Sequence, residues 1–70
     1  MRGNPGYAVE LKDGRLGRTF HSKGMINGKV PVYLATEVKE FEDGFKCAVA
    51  YSDSGTLIDP KEAKIIGHID

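Results

Sequence analysis

Seventy residues, 40% hydrophobic and 29% charged, describe one small domain and exclude a disordered tail. A chain this short buries only about 60% of its unfolded surface, so its core must be thin. Ten basic residues balance ten acidic ones, which excludes a uniformly basic nucleic-acid binder.

The zero net charge hides a split. Residues 1–30 carry a balance of +4 and residues 31–70 a balance of −4, so one face can still be basic. No apolar run approaches the ~18 residues a membrane helix needs, and no apolar segment follows Met1–Gly6 as a secretory leader requires. Cys47 is the lone cysteine, so no intrachain disulfide can form. That favours a reducing, cytoplasmic setting.

Residues 1–6, with two glycines, an asparagine and a proline, read as a flexible lead-in to a single domain over 7–70. Tyr7, Val9 and Leu11 alternate with Ala8, Glu10 and Lys12, the pattern of a half-buried strand. Asp13-Gly14 then signals a two-residue hairpin turn with positive φ at both positions. The return strand spans Arg15 to Ser22, with Leu16 and Phe20 as inward candidates. Gly17 within it implies a bulge or a close backbone approach.

Residues 23–28 form a loop with a second turn signal at Asn27-Gly28. Its apolar Met25 and Ile26 are expected to fold back over an open barrel end. Val30, Val32 and Leu34 mark the next strand, where Pro31 must turn its amide side to an edge or a bulge. Residues 36–43 fit either a short helix capped by Thr36 or the arm of a hairpin turning at Asp43-Gly44. The hairpin is preferred, because two isolated helical turns are marginal and the alternating Phe45, Cys47, Val49 and Tyr51 need a partner strand.

Ser52–Gly55 is a further turn, and Thr56–Asp59 a short strand. Asp59-Pro60 starts one helical turn, with Asp59 as its cap. Lys64–Ile69 closes the chain, with Ile65, Ile66 and Ile69 expected to be well covered. The fold class is therefore all-β: a small barrel of five to six short antiparallel strands, with one helical turn before the last.

Three segments carry a family resemblance. They are Val9–Arg18, Gly28–Leu34 and Leu57–Gly67. Together the chain resembles the SH3-like barrels, and the KOW-type modules of ribosomal and transcription-associated proteins in particular. The resemblance implies an SH3-like barrel fold, and it departs over residues 37–52, where a minimal module would be shorter. SH3-like barrels host RNA binding, peptide binding and scaffolding alike, so the fold does not choose among them.

Two binding surfaces follow from residue type. Lys12, Arg15, Arg18, Lys23 and Lys29 could neutralise phosphates, which points to weak RNA or DNA binding through the first hairpin. Alternation divides these charges between faces, so a solvated rim is the simpler account. The alternative is a protein-interaction module using Met25, Ile26, Tyr33, Phe41 and Tyr51 with the acidic hairpin at 37–43. Aromatics on a thin barrel are also half-buried for structural reasons alone.

No constellation of acid, base and nucleophile is visible, so no enzyme, cofactor or small-molecule substrate is expected. Cys47, His21 and His68 lack metal-ligand spacing, and Cys47 reads as a small buried hydrophobe.

Overall fold

A computed structural model describes residues 5–69. They form one six-stranded antiparallel sheet: β1 (Gly6–Leu11), β2 (Leu16–Arg18), β3 (Val30–Glu40), β4 (Lys46–Tyr51), β5 (Thr56–Ile58) and β6 (Ala63–Ile69). One 3-10 turn, Pro60–Glu62, precedes β6. The arrangement is all-β and compatible with a barrel-like fold. Residues 1–4 of the expected lead-in lie outside the described residues, and β1 begins at Gly6.

The order across the sheet is β4-β3-β2-β1-β6, with β5 also on β3. The eleven-residue β3 is the shared strand. Its first part pairs with β5 through Val30–Ile58 and Val32–Thr56, and its second part pairs with β4 from Ala35–Tyr51 to Glu40–Lys46. β4 and β5 therefore lie end to end along one edge of β3, and β2 lies along the other.

This arrangement explains Pro31. The Leu34 carbonyl accepts from the Ser52 N–H on the β4/β5 edge. Period-2 alternation turns Val30 and Val32 the same way and Pro31 the opposite way. On that opposite side the β2 ladder stops at Tyr33, so the missing proline donor breaks no hydrogen bond.

The turns follow from two local devices. Leu11 and Arg15 close the first loop, with the Leu11 N–H donating to the Arg15 carbonyl at 2.8 Å. Phe41 and Phe45 close the arm loop in the same way, also at 2.8 Å. In both, an aspartate one residue before a positive-φ glycine (Gly14, Gly44) accepts from the backbone N–H one residue after that glycine. These are three-residue loops of x-Asp-Gly, so the expected two-residue turn at Asp13-Gly14 is corrected: only the glycine enters the left-handed region. Asn27-Gly28 does place both residues at positive φ, 53° and 77°, between the bridged Ile26 and Lys29. Asp59 caps the 3-10 turn by accepting from the Lys61 N–H at 2.9 Å, with Pro60 at its first position.

The hairpin reading of residues 36–43 holds, because β3 continues to Glu40 and β4 returns along it. The strand β2 is shorter than expected and ends at Arg18. Its inward residue is Gly17, which is buried and pairs with Val9, whereas Leu16 and Arg18 share the other face with Ala8 and Glu10. A side chain at Gly17 would meet Val32 Cγ1 at 2.7 Å and the Tyr33 carbonyl oxygen at 3.1 Å. The glycine thus marks a close approach of β2 to β3, and register shifts sit instead between β1 and β6, beside Ile66, and between β3 and β4 around Glu37.

The core is small. Val9, Leu11 and Val32 are the buried large apolar residues among those described, and Val32 alone is fully enclosed. Two expectations fail on this point. Ile65 and Ile66 are 58% and 50% exposed, so β6 is poorly covered. Met25 and Ile26 stay exposed at the surface rather than folding back as a cap. No described helix is long and apolar enough to cross a membrane.

Gly17→Ala should cost about 1–3 kcal/mol by overpacking Val32. Gly24→Ala, whose added methyl meets nothing within 4 Å, should be neutral or slightly stabilising. Urea unfolding of both variants checks the pair, and equal midpoints would contradict the close-approach account.

Candidate functional site

The basic residues named from the sequence do not converge. Lys12 Nζ lies 3.2 Å from Glu62 Oε2, and Arg15 Nε donates to Asp13 Oδ2 at 2.7 Å. Both are exposed pairs within the chain, where solvent and salt screen the attraction. Lys23 and Lys29 stand on the loop between β2 and β3, and no ion pair engages them among the described residues.

Arg18 has a different setting. Its guanidinium carbon stands 4.0 Å from the centre of the Phe20 ring and 5.8 Å from that of Tyr51. Phe20 in turn meets Tyr33 edge-on, with centres 4.9 Å apart. The cation is therefore laid over ring faces, where the π quadrupole attracts it. This stacks β2 against β4 and holds Tyr51 beside the outer face of β1 and β2.

A groove opens at this place. Its walls are Leu16 and Arg18 from β2, Cys47 and Tyr51 from β4, Phe45 before β4, and Ile66 from the irregularity in β6. It encloses about 520 Å³. Local rules explain each wall. Alternation in β2 turns Leu16 outward because the inward position belongs to Gly17. The register shift lets Ile66 depart from the pairing of Val9 with Ile65. In the arm, Cys47 sits opposite Lys39, on the face that also carries the Phe41–Phe45 ring pair at 5.8 Å. Cys47 is exposed, correcting its expected burial.

The five residues proposed for protein contact separate. Tyr51 lines the groove and Phe41 stands at the adjoining arm tip. Tyr33 is half-buried against Phe20 and Gly55. Met25 borders a second cavity of about 390 Å³, floored by Val9 and flanked by Tyr7 and Ile65, while Ile26 is exposed on the same loop. Leu16, Phe45 and Ile66 were missed as site residues. Their only signal was an apolar residue in a strand pattern, which reads equally well as core.

The histidines flank one ring: Tyr7 meets His21 at 4.8 Å and His68 at 5.0 Å, both edge-on. Cys47 lies apart from them on β4. Among the described residues no group of three or more His, Cys, Asp or Glu is placed to hold a metal ion.

Two side chains have perturbed acidity. The Arg15 backbone N–H, helped by its guanidinium, holds the Asp13 carboxyl below the ordinary aspartate value. Burial raises the Tyr51 phenol, opposed by the Arg18 charge and assisted by Cys47. Compared with known proteins, the chain matches no family model, no curated protein and no solved structure.

Asp13 should titrate below the ordinary aspartate midpoint by carboxyl NMR. Arg15→Ala should return it only part of the way, because the backbone donor remains. Any stability from this group is present above the unfolded midpoint and is lost as pH falls through the folded one. For Tyr51 the sign is opposite. Its raised folded midpoint makes stability fall as pH rises past the unfolded value, and Arg18→Ala should push the phenol higher still in an ultraviolet titration.

Proposed function

We propose that this chain is a non-catalytic protein-interaction module built on a small SH3-like barrel, and that the groove beside the arm is its contact surface. One observation carries the reading: a groove of about 520 Å³ is walled by Leu16, Cys47 and Tyr51 together with Phe45 and Ile66, two of the large apolar residues left exposed among those described. The groove combines apolar walls with an aromatic and an arginine, the residue types enriched at interface centres.

The KOW-type resemblance belongs to the same reading at the level of fold. The strand order supports it, with one long central strand shared by its neighbours and a 3-10 turn before the last strand. A reducing, cytoplasmic setting also fits an exposed single thiol. Nucleic-acid binding through Lys12, Arg15, Arg18, Lys23 and Lys29 draws less support. Two of these cations are paired within the chain, and Lys23 and Lys29 stand apart from them on the β2–β3 loop.

The test is an amide-shift titration with two probes: a peptide pool rich in aromatic and acidic residues, and a single-stranded RNA oligonucleotide at low salt. Peptide should shift Leu16, Arg18, Tyr51 and Ile66, and Ile66→Lys should weaken that binding by about tenfold. Shifts by RNA at Lys23 and Lys29, with none by peptide, would overturn the reading in favour of nucleic acid.

A further inference from the structure

We propose that the occupant of the groove is the β3–β4 arm of a second copy of this chain, in a reciprocal two-fold dimer. The inference rests on the interaction-module reading and names its partner.

Surface area makes the first argument. The chain exposes 5126 Å² for a mass of 7.6 kDa. A folded monomer of that mass is expected to expose about 4,300 Å². The excess, about 800 Å², leaves room for the roughly 800 Å² that one partner contributes to an interface of standard size. The shape agrees: the chain measures 40 × 32 × 19 Å and its radius of gyration is 11.9 Å, against about 11 Å expected.

The chemistry of the arm makes the second. Its tip carries Phe41 and Phe45, 44% and 61% exposed, beside Glu42 and Asp43. Among the described residues no ion pair engages either carboxylate. The groove carries apolar walls together with the cations Arg18 and Lys46. An aromatic, acidic projection therefore faces an apolar, basic recess of the same chain. A chain of zero net charge has no overall repulsion to resist such pairing.

Symmetry makes the third. Phe45 belongs both to the arm tip and to the groove wall. A two-fold axis close to Phe45 and Cys47 would let each arm cover the other copy's groove. The same patch then serves both sides, as an isologous interface requires.

Sedimentation equilibrium of the purified chain, across micromolar to sub-millimolar concentrations, tests this. The expected mass rises from 7.6 kDa toward twice that value. Phe45→Ser and Ile66→Ser should each weaken association by about tenfold or more. Glu42→Lys combined with Asp43→Lys should weaken it too, while the remote Lys29→Ala should not. All these positions are exposed, and circular dichroism and thermal melting verify that the variants fold. A chain that stays monomeric overturns the proposal, as does a dimer indifferent to Phe45→Ser and Ile66→Ser. A monomer whose groove takes up peptide overturns self-association and leaves the module reading standing.

Discussion

The contact between Gly17 and Val32 governs this fold. Val32 is the one fully enclosed side chain among the described residues, and it is enclosed because the strand facing it offers no side chain. That close approach lets β2 pair with β3 at Tyr33 and Leu34. It also fixes the faces of β2. With Gly17 turned inward, Leu16 and Arg18 must point outward, so the groove exists because the core needed a glycine at its neighbour. A second glycine repeats the device at the edge of the core, where a side chain at Gly6 would collide with the Thr19 carbonyl.

A core of three large apolar residues among those described is little for a domain of this length. Side-chain burial is what offsets the conformational entropy of ordering the chain, and below about 70–80 residues one core rarely suffices without help. Here the help is not covalent, since Cys47 has no second cysteine within the chain. Rings and hydrogen-bonded turns take part of the role. Arg18 stacked on Phe20, and Tyr7 between two histidines, cover surface that aliphatic groups would otherwise fill. The exposed apolar residues on β4, β6 and the arm are the same deficit seen from outside.

The legible parts of the sequence were those set by local chemistry. Asp59-Pro60, Asn27-Gly28 and the two Asp-Gly turns each act through a backbone constraint within a few residues, so the places of the turns were legible, although the first loop has three residues and β2 ends early at Arg18. What alternation could not tell was whether a face is covered. Ile65, Ile66 and Cys47 sit in strand patterns and read as covered, yet all three are exposed. Period 2 reports which residues share a face. Coverage depends on the partner layer, and among the described residues β4 pairs only with β3 and β6 only with β1. The same reason hid Leu16, Phe45 and Ile66 as site residues.

Charge adds a constraint that packing alone does not. The basic excess of residues 1–30 suggested a phosphate-binding edge, but the fold spends much of it locally. Lys12 reaches the carboxylate of the 3-10 turn, Arg15 closes its own loop through Asp13, and Arg18 is drawn over rings. Part of the acidic excess of residues 31–70 is not spent in the same way: Glu42 and Asp43 stand at the arm tip, and no ion pair engages them among the described residues. A chain that pairs Lys12 and Arg15 within the first hairpin and the 3-10 turn while displaying Glu42 and Asp43 on an aromatic tip is electrostatically asymmetric despite a net charge of zero. Such asymmetry favours an oriented contact with a cationic, apolar surface over diffuse attraction to a polyanion.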